Sequence, residues 1–422
     1  MYKKFLFFLV SLIFTLGVKA QYNTVSPYSR FGIGNIENQT LGRALGMGGI
    51  SAGVRLPFEI NSENPASYSA IPEKVFLFQV GTKIKRTDFE TTTNTIMNYD
   101  FWLSSINAAF RGHKYWAMSF GMNPLSSVGY SIETEDSVIF QDSVSNFRNY
   151  YSGEGGLTKI YLGNSFAYKG FSVGVNASYI FGPLSKKLAS VLYDDTYSSL
   201  ITDIQNIKVN DFNLRFGLQY SDSIFKNDMF TVGGFLETKT DLNAKLIRFT
   251  TENMKLQNNI VVIDTLINDT LTTGTIGLPL TFGLGFTLVT QKLIFGLDYK
   301  SSLWQDVKFF DETTSYFANS SEIAFGAEYT KDYASKQYWK TINVRAGARF
   351  SKSNLVLNNT QINGYGITFG AGFPSIAGTK INIAFEIGKK GTIENNLILE
   401  NYYMMNLNFN LTDSWFIRRK FF

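Results

Sequence analysis

Between residues 280 and 288 two kinds of side chain alternate without a break: Leu280, Phe282, Leu284, Phe286 and Leu288 on one face, Thr281, Gly283, Gly285 and Thr287 on the other. A period of two over that length predicts a β-strand with one greasy face and one lean face. The same phase returns in Phe171, Val173, Val175, Ala177, Tyr179 and Phe181, in Phe212, Leu214, Phe216, Leu218 and Tyr220, and in Ile381, Ile383, Phe385 and Ile387. Between these sit Asn176, Asn213, Arg215, Gln219, Asn382 and Glu386, which need water or polar partners. Such strands suit a wall with lipid on one side and a lumen on the other.

The criterion predicts about 14 strands, near 74–86, 99–111, 115–132, 156–168, 171–182, 206–220, 228–250, 276–290, 292–309, 319–332, 338–352, 362–373, 379–390 and 400–411. An even count is what a single-chain bacterial barrel requires. The connections run long then short: 87–98 then 112–114, 133–155 then 169–170, 183–205 then 221–227, 251–275 then 291. Barrels keep short turns on the periplasmic side and long loops outside, which puts both termini in the periplasm. Aromatic residues gather at strand ends, as in Tyr99-Asp100-Phe101-Trp102, Tyr115-Trp116 and Tyr338-Trp339, where membrane girdles lie.

Composition agrees. Charged residues are 17% of the chain against roughly 25% in soluble proteins, while aromatics reach 16%, with 38 Phe and 23 Tyr. A mean hydropathy of -0.04 reflects fine mixing of apolar and polar residues rather than helical spans of about 20 apolar residues. The chain has no cysteine, and its single histidine, His113, falls in the turn Arg111-Gly112-His113-Lys114. Zinc–thiolate sites, cysteine nucleophiles and most catalytic triads lack their parts, so neither an enzyme, a metal site nor a cofactor is expected.

At the N-terminus, Met1-Tyr2-Lys3-Lys4, an apolar run from Phe5 to Gly17 and Val18-Lys19-Ala20 form a secretory signal peptide, residues 1–20. Its removal takes away Lys3, Lys4 and Lys19, so the formal charge falls from +5 to about +2. No basic patch for nucleic acid is left. Residues 21–73 follow with no sustained period and with Pro27, Pro57, Pro65 and Pro72, half of the 8 prolines. Proline is excluded from central strands, so this stretch is a separate unit ahead of the barrel, 74–422. Its kernel is Gly42-Arg43-Ala44-Leu45-Gly46-Met47-Gly48-Gly49-Ile50 with Asn61-Ser62-Glu63-Asn64-Pro65-Ala66-Ser67. It is too apolar for a linker and too rich in turn formers for a strand, and it reads as a plug for the lumen.

Two features of the wall bear on that plug. In 362–373 the inward positions include Gly364, Gly366, Gly370 and Gly372, bare enough to receive it, although glycine also eases barrel curvature. Inward Arg215, Glu237, Asp298, Lys300, Glu328, Arg345, Arg349 and Glu386 mix signs, as an ion-paired lumen bracing a plug would. In the third strand Pro124, beside Gly121 and Asn123, cannot donate to the ladder and marks either a gap in the wall or a frayed end above the bilayer.

Leu41-Gly42-Arg43-Ala44, Gly46-Met47-Gly48-Gly49 and Asn64-Pro65-Ala66, placed ahead of about 14 strands, resemble the N-terminal segment of the FadL family of long-chain fatty-acid and aromatic-hydrocarbon outer-membrane channels. The resemblance implies an all-β, antiparallel transmembrane barrel of the Gram-negative outer membrane with a luminal hatch carrying Gly42, Arg43, Gly46, Gly48, Gly49, Asn64, Pro65 and Ala66. It also implies a lateral opening at Gly121, Asn123 and Pro124. Val54 to Ile60 is more apolar than the family pattern. The expected partners are outer-membrane lipid and a hydrophobic ligand taken up passively past the hatch. Some branches of the family do not transport and act as subunits of protein secretion or assembly machinery, and that alternative stays open.

Overall fold

The computed structural model describes residues 26–40, 42–140, 143–193, 198–225, 228–256, 259–310, 312–375 and 379–415. The expected signal peptide at 1–20, residues 21–25 and residues 416–422 lie outside the described residues. Fourteen antiparallel strands close into one transmembrane barrel. They are β1 (Val75–Glu90), β2 (Thr95–His113), β3 (Trp116–Phe140), β4 (Ser143–Tyr168), β5 (Phe171–Tyr193), β6 (Ser198–Phe225), β7 (Asp228–Glu237), β8 (Thr281–Val289), β9 (Leu293–Ser302), β10 (Ser320–Thr330), β11 (Asn343–Leu357), β12 (Thr360–Pro374), β13 (Lys380–Lys390) and β14 (Leu399–Ser414). Closure comes from β14 pairing with β1, from Leu399 opposite Glu90 to Ser414 opposite Val75. The chain therefore presents lipid with a wall whose backbone groups are paired internally, as a bilayer demands.

The faces are inverted relative to a soluble protein. On β6 the outward Phe212 is 67% exposed while the inward Arg215 is 3% exposed. That pattern fits only if the outside is hydrocarbon and the inside supplies polar partners. Aromatic pairs bound the lipid zone, with Phe171 against Tyr220 at one edge and Tyr179 against Phe212 at the other. The ten steps from Phe171 to Phe181 cover roughly 33 Å of strand, or about 25 Å of membrane at a tilt near 40°.

Above that band the structure departs from the sequence reading. The long connections 133–155, 183–205 and 251–275 are not irregular loops: β3 runs on to Phe140, β4 starts at Ser143, β5 reaches Tyr193 and β6 begins at Ser198. The segment expected as one strand over 228–250 is broken after Glu237 and resumes as Thr240–Leu256, which pairs with the upper half of β6 and with Asn259–Leu278. At the break Thr238 turns its amide to Leu214 O, 3.0 Å away. A projecting sheet thus rises from one side of the barrel. Its inward face, with Leu184, Ile207, Val209, Leu242 and Ala244, packs with Tyr28 and Ile33 of the N-terminal segment and with Trp304 and Phe317 into an apolar dome over the mouth. The strand expected over 338–352 also starts later, at Asn343, after a short helix, α1 (Tyr338–Thr341).

Ser26 sits at the end of the barrel carrying the long hairpins, its hydroxyl donating to Glu400 Oε1 at 2.5 Å. Lys74 and Trp415 meet at the opposite end, where the short turns are, through a 2.8 Å backbone hydrogen bond. The closed ladder predicts resistance to SDS without heat. An unboiled sample should migrate ahead of a boiled one on a gel, and identical migration would contradict closure.

Candidate functional site

Among the described residues of 26–74 are three short 3-10 turns, Pro27–Arg30, Gly42–Met47 and Pro65–Ala70, joined by turns, bends and irregular chain with a two-residue strand at Asn35–Ile36. Gly48 and Gly49 hold φ of 71° and 87°, a left-handed region that other residues enter only with strain, so the chain reverses there. Asn64 caps the last turn, its side-chain oxygen accepting from Ala66 N at 3.2 Å, and its amide nitrogen donates to Ala52 O at 2.7 Å. Pro65 follows at the first helical position, where its missing N–H costs nothing.

From Gly42 onward the segment winds round the inside of the wall, meeting the strands in falling order. Gly42 lies against Gln79 and Asn408, Gly46 against Gly370 of β12, Gly48 against Gly347 of β11, and Met47 against Gly326 of β10. Ile50 then fills the space over Gly296 of β9, Gly53 and Ala52 that over Gly285 of β8, and Ala52 that over Gly233 of β7. Asn64 sits over Gly217 of β6, Pro65 and Ala66 over Gly174 of β5, and Tyr68 over Gly163 of β4. A segment touching that many strands of a closed barrel on their polar face occupies its interior. Several of these glycines are cross-strand partners: Gly174 with Gly217, Gly233 with Gly285, and Gly326 with both Gly296 and Gly347. They form a belt on which one backbone rests against another.

Of the four β12 glycines singled out from the sequence, Gly370 meets the segment. The space over Gly366 is taken by Glu386 and Tyr402, that over Gly372 by Arg345, Asn343 and Lys380, and Gly364 faces Lys389 O and Ser351. Gly174, Gly217, Gly233, Gly296, Gly326 and Gly347 were not singled out. Each is one inward glycine in its own strand, and only pairing register joins them.

Charge fixes the hoop further. Arg215 binds Glu63 through Nη1 at 2.8 Å and also pairs with Glu237, while Lys300 reaches Glu63 at 3.4 Å and Lys159 reaches Glu237 at 3.4 Å. Burial alone would raise the pKa of Glu63, but Arg215, Lys300 and Lys159 outweigh it and hold the carboxyl below the usual range. A second cluster joins Arg43 to Glu328, which also accepts from Arg345 Nε at 2.6 Å. Asp298 accepts from the amides of Ser51 and Ala52, at 2.5 and 2.6 Å, and Thr368 Oγ1 accepts from Gly48 N at 2.8 Å. Arg345 and Arg349 are engaged by Glu328 and Glu386.

At the third strand, pairing of β2 with β3 stops at Ile106 opposite Met122. Gly121 lies just before that point, packed on Asn107, and buried Asn123 accepts from Asn107 Nδ2 at 3.2 Å. Pro124 stays paired with β4 opposite Thr158, and the register shifts before Ser126, so Leu125 bulges. The free edge of β3 is partly taken by Asn35 and Ile36, opposite Ser127 and Ser126. Behind it lies a cavity of about 340 Å³ whose lining includes Lys83, Lys85, Glu237, Lys300, Glu322 and Arg349 as well as Trp102 and Leu125. Its charge makes it a poor solvent for hydrocarbon. Among the described residues no cluster of His, Cys, Asp or Glu is placed to hold a metal ion.

Two outcomes are expected. A Leu side chain at Gly347 would collide with the backbone of Met47 and Gly48, so Gly347→Leu should displace the hoop and turn a silent protein into a conducting one in planar bilayers. Gly234→Ala, which adds a methyl near the outward Leu284, should stay silent. Equal conductance in the two variants would contradict the packing. Separately, Arg215→Met leaves buried Glu63 and Glu237 with only the longer contacts to Lys300 and Lys159, and a loss of roughly 3 kcal/mol is expected in denaturant unfolding in detergent. Adding Glu63→Gln and Glu237→Gln should recover part of it.

Solved structures share this architecture. The Pseudomonas putida toluene transporter TodX superposes with a TM-score of 0.56 at 14% identity, over 90% of this chain and 100% of that one. The Ralstonia pickettii toluene transporter TbuX gives 0.56 at 12% identity, over 89% and 99%. A Pseudomonas aeruginosa FadL homologue gives 0.56 at 12%, over 91% and 99%. At these identities the likeness is one of fold, and the fold is FadL-like. No curated protein matches the chain in sequence. The family model described as BamG matches residues 1–422, and the chain belongs to the BamG family.

Proposed function

We propose that this protein is a barrel of the Gram-negative outer membrane whose lumen is closed by its own N-terminal segment, and that it serves as a non-transporting subunit of a protein secretion or assembly complex. In this reading the short-turn end faces the periplasm and the projecting hairpins face outward. The observation that carries it is the hoop of residues 42–68 seated on wall glycines and tied by buried ion pairs to Glu328, Arg215 and Lys300. A hatch that opens in use needs a rest position it can leave, and desolvated ion pairs broken on each opening cost several kcal/mol apiece.

A second reading, passive uptake of a hydrophobic small molecule past a movable hatch, draws on the arrest of β2–β3 pairing beside Gly121, Asn123 and Pro124 and on the transporters that share the fold. There the exit would be lateral, through the wall. The charged cavity behind that gap is what weighs against it.

Purification from native membranes in mild detergent with intact-complex mass spectrometry, together with uptake of labelled long-chain fatty acid by cells lacking their own channel, separates the two. Stoichiometric co-purifying proteins and no uptake above the empty-vector level are expected. A lone barrel and saturable uptake, lost in Pro124→Ala, would overturn the subunit reading.

A further inference from the structure

The projecting sheet has an outward face as well as the inward one that packs into the dome. Register places Tyr150 opposite Ala189, Val191 opposite Leu200, Ala189 opposite Thr202, and Ile204 opposite Phe249, all on the outward side. Tyr150 is 36% and Phe249 39% exposed, and Val191, Leu200, Ile204 and Ile247 are half-buried. Ile204 lies eight residues beyond Phe212, the last outward aromatic of the lipid band on β6, which is roughly 26 Å along the strand. Exposed Asn206, Lys208 and Asn210 lie between the two. The apolar stripe is therefore cut off from lipid by a polar collar, and a sheet apolar on both faces calls for a second covering layer.

The collar says something about that layer. Lys208 stands directly opposite Lys245, an arrangement of like charges that destabilises a strand pair. Around Lys208 the opposed and diagonal positions otherwise hold Pro183, Ser185, Asn243 and Ile247, with no carboxylate. Farther up, Arg148 is already engaged by Glu133, at 3.0 Å, and by Glu135. Lys187, exposed on the same face, stands opposite Ile204 within the stripe, so the outward charge there and at the membrane-proximal edge is positive.

We infer that the outward face of the projecting sheet is a docking surface for another protein, one that lays an apolar face over Ile204, Phe249, Leu200 and Val191 and brings carboxylates to Lys208 and Lys245. Lipid headgroup phosphates could meet the two lysines, but they would leave the stripe above them bare. The inference names a contact face for the partner implied by the subunit reading and rests on that reading.

The test places a photoreactive benzoyl-phenylalanine at Ile204 or Phe249 in the full chain, in native membranes, with Phe216 in the lipid band as control. One protein adduct, common to the first two positions and absent from the third, is expected. Lys208→Glu with Lys245→Glu should cut its yield roughly tenfold or more, and acidic-to-Lys changes in the crosslinked peptide of the partner should restore it. Unheated gel mobility reports that the variants still fold. Adducts to lipopolysaccharide only, to a second copy of this chain, or to nothing would overturn the inference, as would a yield indifferent to the charge reversal. A retained complex in intact-mass spectra without these adducts would sink the docking face alone. Saturable uptake alongside a charge-dependent adduct would sink the subunit reading and leave the face standing.

Discussion

Backbone meeting backbone across the glycine belt is the constraint on which the interior depends. With Gly48 N close upon Gly347, and Met47 upon Gly326, there is no room for a side chain on the wall and little for displacement of the hoop. Glycine weakens a strand, so a wall that spends one inward glycine in each of several neighbouring strands gives up packing and gains a seat. The seat brings the amides of Gly48, Ser51 and Ala52 to Thr368 and Asp298, so a segment with little regular structure of its own still has its buried donors satisfied. The ion pairs are downstream of this fit, because Arg43 and Glu63 reach Glu328 and Arg215 only once the hoop is down.

The same constraint divides the molecule by height. In the lower part the hoop lies against the inner wall, packing Met47, Ile50, Val54 and Leu56 with Ile294 and Ala324. Above it lies a charged cavity, and over that the apolar dome, where Tyr28 and Ile33 enter a core built by the projecting sheet and the 303–319 connection. Lys186, beside the dome, donates to Arg30 O and Gly32 O at 3.0 and 3.2 Å, and burial, helped by Arg30, pushes its pKa down to about 8. One N-terminal segment thus ties both layers to the wall.

Much of the barrel was legible because lipid enforces a strict period of two. Leu284 and Phe286 face outward and Thr287 is buried, as the alternation from 280 to 288 implied. Above the band that enforcement ends: Leu184-Ser185-Lys186-Lys187-Leu188-Ala189 is strand whose inward face packs into the dome and whose outward face carries Ser185, Lys187 and Ala189, and its mixed sequence read as loop. The belt was hidden for another reason. Gly364 and Gly366 stood out because they belong to a run of glycines within one strand, whereas Gly217, Gly296 and Gly347 become neighbours of one hoop only through pairing register. At the third strand the missing N–H of Pro124 was plain from its residue type. The arrest of pairing at Met122 depends on β2 and could not be read there.

Amide hydrogen exchange of the folded protein in detergent measures the seating of the hoop most directly. If the glycine belt holds it as described, the amides of Gly48, Ser51, Ala52 and Ala66 exchange as slowly as those of the wall strands β5 and β11. Exchange of these amides within seconds to minutes, with the wall still protected, would contradict the account and make the segment a moving part.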